Sequence, residues 1–159
     1  MDTSILALQD QSATVAVIGL GYVGLPLAIE FGKIITTIGY DISTNKVKSY
    51  LNGIDPSAEE SRERFHEASK LTFTSNAEDI APADFFLIAV PTPVDDNSLP
   101  DFTPLISATK TVGGKMKPGS IVVYESTVYR GATEEICIPV LEKYSNLVWV
   151  NHPSQYQSY

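Results

Sequence analysis

Thr14-Val15-Ala16-Val17-Ile18-Gly19-Leu20-Gly21-Tyr22-Val23-Gly24 is an apolar, β-branched run that leads straight into three glycines at the spacing G-x-G-x-x-G. Such a run, without polar alternation, reads as a strand buried on both faces, the habit of parallel sheets. From Val23 onward the apolar positions Val23, Leu27, Ala28 and Phe31 recur at helical spacing, and Gly32 is the expected stop. The glycines therefore stand between a strand and a helix. In that setting the first permits a tight turn, the second lets another group approach the backbone, and the third lets helix and strand pack closely.

Outward from this unit, Thr36 to Tyr40 reads as a second strand that delivers Asp41 at its carboxyl end, and Ser43 is the expected cap of a helix running through Leu51. Ser57-Ala58-Glu59-Glu60 has capping-box spacing, which predicts a helix to about Ala68. Leu71 to Thr74 is a short strand, and Ala83 to Val90 reads as a central strand closed by Pro91-Thr92-Pro93. After a polar loop to Asp101, Thr103 and Pro104 are the expected cap and first residue of a helix ending near Lys115. Lys117-Pro118-Gly119 is a turn, Ser120 to Tyr124 a strand, Ser126 to Gly131 a loop, Ala132 to Lys143 a helix and Leu147 to Val150 a final strand. Alternating strands and helices predict an α/β fold: a Rossmann-like, doubly wound parallel sheet in a single domain over residues 13–150. Residues 1–12 read as an N-terminal extension, and residues 151–159 as an atypical tail.

The 159 residues suit one domain with its own core. With 11 Lys and Arg against 19 Asp and Glu the net charge is −8, which makes nucleic acid and anionic membrane poor partners. The single cysteine, Cys137, cannot form an internal disulfide, so a reducing compartment is expected. No run is long and apolar enough to span a bilayer, and Met1 to Ser12 lacks signal-peptide features. The expectation is a soluble, cytoplasmic protein.

On so acidic a chain, an anionic ligand needs locally oriented donors, and the helix start after Gly24 supplies them. Three glycines can also simply make a tight βα turn. Asp41 adds context: 22 residues after Gly19, at a strand end, it can accept hydrogen bonds from ribose hydroxyls. The pair reads as a dinucleotide site, and a carboxylate at Asp41 opposes the 2′-phosphate of NADP, favouring NAD. Capping of the following helix is the competing role for Asp41. Thr92 follows a strand end, where ligands of doubly wound sheets bind, as do Glu125, Ser126 and Thr127, although proline and hydroxyl residues are common in plain loops. Cys137 shares the apolar side of its helix with Ile136, Val140 and Leu141 and reads as a core residue. His66 and His152 have no partners at metal-ligand spacing, so no metal site is expected. Glu59, Glu60, Arg62, Glu63 and Arg64 read as a solvated helix face.

Val15 to Ala28, Gly39-Tyr40-Asp41, Val90-Pro91-Thr92-Pro93 and Tyr124-Glu125-Ser126-Thr127-Val128-Tyr129 together resemble the UDP-glucose/GDP-mannose dehydrogenase family, above all its UDP-N-acetylhexosamine 6-dehydrogenase branch in polysaccharide synthesis. The resemblance implies oxidation of a sugar's primary alcohol to a carboxylate in two NAD-dependent steps through a cysteine-bound intermediate. It implies that Tyr22 and Val23 line the pyrophosphate, Asp41 and Lys46 hold the adenosine end, Thr92 and Ser126 face the cofactor, and Thr127 lies near the reacting carbon and its water. A UDP-sugar is then the substrate of a longer enzyme, with room for a homo-oligomer. The family's nucleophilic cysteine, its lysine and its asparagine follow the NAD-binding domain, and Cys137 lacks their glycine-rich setting, so the present chain is expected to be inactive alone. Two departures stand out: Arg130 replaces the usual proline before Gly131, and Asn151 to Tyr159 does not match the family's continuation. A truncation, a frameshift or an expression scar would each produce that tail. The alternative from another class is a stand-alone NAD(H)-sensing module. A short-chain reductase is disfavoured, because no Tyr-x-x-x-Lys pair is present.

Overall fold

The computed structural model describes residues 7–94, 100–126 and 131–149. Strands β1 (Thr14–Ile18), β2 (Thr36–Tyr40), β3 (Leu71–Thr74), β4 (Phe85–Ile88) and β5 (Ile121–Tyr124) form one parallel sheet in the order β3-β2-β1-β4-β5. Between them run helices α1 (Gly24–Ile34), α2 (Thr44–Leu51), α3 (Arg62–Glu67) and α4 (Thr103–Gly113). After β5 comes a π-turn (Thr133–Cys137) that continues into α5 (Ile138–Ser145). The doubly wound α/β sheet expected from the sequence is the fold observed.

Period-2 alternation divides the core into two layers. Val15 and Val17 of β1, with Phe85 and Leu87 of β4, pack against Leu25, Ala28 and Ile29 of α1 and Tyr50 of α2. Ala16, Ile18, Phe86 and Ile88 face the other way, onto Leu105, Ala108 and Val112 of α4 and onto Cys137. Both faces of β1 and β4 are buried, which is why these strands read as unbroken apolar runs.

Register then aligns the strand ends. Ile18 pairs with both Tyr40 and Ile88, and Ile88 pairs with Tyr124. The residues that follow, Gly19, Asp41, Ala89 and Glu125, therefore leave the sheet along one edge. The chain moves from β1 out to β3 and returns to β4 on the other side of β1, so the strand order switches direction at that edge, where doubly wound sheets bind ligands.

Several elements differ from the sequence reading. The buried stripe of α1 is Gly24, Leu25, Ala28, Ile29 and Gly32, while Val23 is 49% exposed. Gly32 does not stop the helix; a Cβ there would lie 2.5 Å from Cβ of Leu71, so glycine lets α1 press onto β3. Ser57 caps no helix. Asp55 accepts instead from the amides of Ser57, Glu59 and Glu60, Ala58 takes φ +57°, and helix begins only at Arg62. The cap position of α4 is Phe102, with Thr103 already helical, and α4 ends at Gly113, short of Lys115.

The segment Ala132 to Lys143 opens as a π-turn. Pro139 has no N–H to donate to the carbonyl four residues back, and the Ile138 amide bonds Thr133, five residues back. Leu147 to Trp149 form no strand: the Leu147 and Trp149 amides are taken by Oγ of Ser145 and Oε1 of Glu142. Val150, residues 1–6 and the tail from Asn151 lie outside the described residues.

Candidate cofactor-binding site

The loop from Gly19 to Gly24 leaves β1 at the switch of strand order, and its three glycines meet different surroundings. Gly19 has φ +91°, a backbone that strains any residue bearing a Cβ. At Gly24 a Cβ would strike the Gly19 carbonyl oxygen at 1.7 Å, so only glycine lets the helix start sit against the strand end. Over Gly21 a Cβ would meet nothing within 4 Å. The backbone there is an open shelf. Helix α1 begins above it with Val23 at the cap, no side-chain cap hydrogen bond and no acid in its first turn. The positive end of its dipole is left uncompensated by any side chain of its own, as suits an anion.

Asp41 ties this loop to β2. Its Oδ2 accepts the Leu20 amide at 2.9 Å, and its Oδ1 accepts the Ser43 amide at 2.9 Å. The capping of α2 falls to Ser43, whose hydroxyl accepts the Lys46 amide at 3.4 Å. Asp41 therefore shapes the loop, and a carboxylate with four lone-pair directions retains acceptors for a ribose. Its side chain is 10% exposed, and Nζ of Lys46 lies 3.8 Å from Oδ2.

Tyr50 braces the loop from the buried side, its hydroxyl donating to the Leu20 carbonyl at 2.8 Å. Burial, with the charges of Asp55 and Asp41, pushes that phenol up to about 12, so it stays a donor. A cleft of about 270 Å³ opens beside the loop, its lining including Gly21, Tyr22, Pro26, Lys46, Asp55 and Glu59.

On the other flank, Ser126 donates from Oγ to the Val90 carbonyl at 2.6 Å, clasping the ends of β4 and β5 together. Thr92 is half-buried just beyond Val90. Gly19, Gly21, Tyr22, Val23, Gly24, Asp41 and Lys46 thus converge at β1 and β2, while Thr92 and Ser126 stand at β4 and β5; Thr127, Arg130 and His152 lie outside the described residues. The sequence reading did not single out Ile42, an aliphatic side chain 80% exposed directly after Asp41, nor Tyr50, whose burial with Val47 on one side of α2 is the local signal. Cys137 is buried in the second core layer, beside Tyr124 and Thr109; burial pushes its thiol up despite hydrogen bonds from both.

Residues 13–153 match the model of the UDP-glucose/GDP-mannose dehydrogenase family, NAD binding domain. The chain belongs to this family, as its NAD-binding domain. It is 52% identical over 133 residues to the UDP-N-acetyl-D-glucosamine 6-dehydrogenase of Pseudomonas aeruginosa, covering 84% of this chain and 32% of that protein. The Salmonella typhi enzyme of the same name is 48% identical over 135 residues, covering 85% and 32%. Among solved structures, the UDP-D-ManNAc dehydrogenase of Pyrococcus horikoshii superposes with a TM-score of 0.80 at 35% identity, covering 86% of this chain and 33% of that one. The chain spans about a third of the length of these relatives. The three glycines and Asp41 stand at the ends of β1 and β2, with open space above Gly21. No helix among the described residues is long and apolar enough to cross a membrane.

Proposed function

We propose that this domain carries NAD along the carboxyl edge of its sheet and serves, within a longer polypeptide, the oxidation of the primary alcohol of a UDP-N-acetylhexosamine to a carboxylate. The observation that carries the reading is the open shelf over Gly21, backed by an uncapped helix start and flanked by Asp41. Gly19, Gly21, Tyr22, Val23 and Gly24 line the pyrophosphate. Asp41 and Lys46 hold the adenosine ribose, and Ile42 gives the adenine an apolar surface. Thr92 and Ser126 lie toward the nicotinamide, and Thr127, by its place in the family motif, near the reacting carbon. Bound NAD supplies a hydride acceptor, while the chain's own residues bind and orient it. Two relatives named as UDP-N-acetyl-D-glucosamine 6-dehydrogenases support an N-acetylated sugar over UDP-glucose. A net charge of −8 and one buried cysteine suit a cytoplasmic enzyme acting on small molecules.

Calorimetric titration tests the cofactor part. NAD binds, NADP binds at least about tenfold more weakly, and Gly21→Val loses NAD while its circular dichroism is unchanged, because the added side chain fills ligand space. Equal affinities, or normal NAD binding by the folded variant, would overturn the reading.

A further inference from the structure

The cleft beside the glycine loop carries more acid than its neighbours consume. Asp55 is engaged by the Ser57 hydroxyl and by the amides of Ser57, Glu59 and Glu60. Glu60 is ion-paired with Arg64, and Asp41 holds the amides of Leu20 and Ser43. Glu59 differs from these. Its side chain is exposed while its amide is anchored to Asp55 at 3.1 Å, so a carboxylate stands on a fixed piece of backbone at the cleft's lip. Lys46 is the one cation lining the cleft among the described residues, half-exposed and already beside Asp41. Counting the paired neighbours, four carboxylates (Asp41, Asp55, Glu59, Glu60) surround the cleft against two cations, Lys46 and Arg64.

We propose that Glu59 is a specificity-determining residue that, lining the same cleft as Lys46, denies a 2′-phosphorylated cofactor the counter-charge Lys46 would otherwise offer. The inference rests on the proposed cofactor path, in which the adenosine ribose meets Asp41. A phosphate on that ribose enters the ground between Asp41 and Lys46 with nearly two negative charges. Asp41 repels it at once, and Lys46 is the attraction that remains. In water, a carboxylate about 10 Å from a doubly charged phosphate opposes it by about threefold in affinity, which sets the scale of the effect expected from one acid on the cleft lining. NAD lacks that phosphate, so the effect falls on the ratio between the two cofactors.

Affinities for NAD and NADP are measured by displacement of bound NADH, at low and high salt, for the wild type, Glu59→Gln and Glu59→Asp. The Gln variant is expected to move the ratio about threefold toward NADP at low salt, and the shift shrinks at high salt because exposed charges are screened. The Asp variant keeps the wild-type ratio. An unmoved ratio in the Gln variant, a shift that survives high salt, or an Asp variant that behaves like Gln would each overturn the role of Glu59. Absence of NAD binding by the wild type would remove the cofactor path and this inference together, whereas NAD binding with an unmoved ratio removes Glu59 alone.

Discussion

Asp41 ties the glycine loop to the start of the next helix with a single side chain. Both of its oxygens accept backbone amides, one from the glycine loop and one from the start of the next helix. Asn in its place has one acceptor oxygen and an NH2, so either the Leu20 or the Ser43 amide must face a donor. Asp41→Asn is therefore expected to destabilise the fold by about 1–3 kcal/mol and to weaken NAD as well as to narrow the gap to NADP. Urea unfolding with paired titrations checks this; a variant that changes only the cofactor ratio would mean that the amide bonds contribute little. Gly24 makes the matching case for the loop. Gly24→Ala should cost at least about 1–3 kcal/mol, because its Cβ meets the Gly19 carbonyl oxygen at 1.7 Å and the neighbour is backbone. Gly21→Val, with open space above it, should leave the unfolding midpoint nearly unchanged.

Between α2 and α3, residues 55–60 form a turn organised by one carboxylate. Asp55 is 8% exposed and gathers three amides and the Ser57 hydroxyl. Burial raises its pKa, but the hydrogen bonds from Ser57, Glu60 and Glu59 outweigh it and hold the group below the ordinary aspartate value. Because the folded pKa is the lower one, the stabilisation is fully present above the unfolded value of about 4 and is lost as pH falls below it. Asp55→Asn should thus be less stable than wild type by about 1–3 kcal/mol at neutral pH, with the difference shrinking below about pH 4. Denaturant midpoints at several pH values measure it, and a gap that stays constant into acid would refute the role given to the charge.

The one thiol of the chain is buried in the second core layer. Cys137 packs with Ile88, Leu105 and Val112 beneath the sheet, 1% exposed, and burial raises its pKa. Little thiolate forms at neutral pH, and a buried thiol meets no substrate. The 159-residue chain, supplied with NAD and UDP-N-acetylglucosamine, UDP-N-acetylgalactosamine or UDP-glucose, is therefore expected to produce no NADH above the no-enzyme rate, and Cys137→Ala is expected to behave alike. Trapping an aldehyde for a second hydride transfer needs a reactive nucleophile and a base, and orientation of the substrate contributes about 7–11 kcal/mol in enzymes that do such chemistry. Sustained absorbance growth that vanishes in the alanine variant would overturn both statements.

By itself, the sequence determined what nearest-neighbour spacing can carry. The apolar runs of β1 and β4, the glycine triplet and an acid at the end of β2 are local patterns, so the doubly wound sheet and the tight glycine turn between β1 and α1 were legible from them. Contacts between distant residues decided the rest. The Leu20 amide could have met water, but folding brings it to Asp41, 21 positions on, and brings the Tyr50 hydroxyl to the Leu20 carbonyl from 30 positions away. The spacing of Ser57 and Glu60 spelled a helix cap, yet Asp55 took the amides that a helix start would offer. Likewise, Leu147 to Trp149 have strand composition, and side chains of the preceding helix took two of their amides. A backbone donor bonds whichever acceptor the folded chain brings within reach, and composition ranks local conformations without knowing which acceptors those will be.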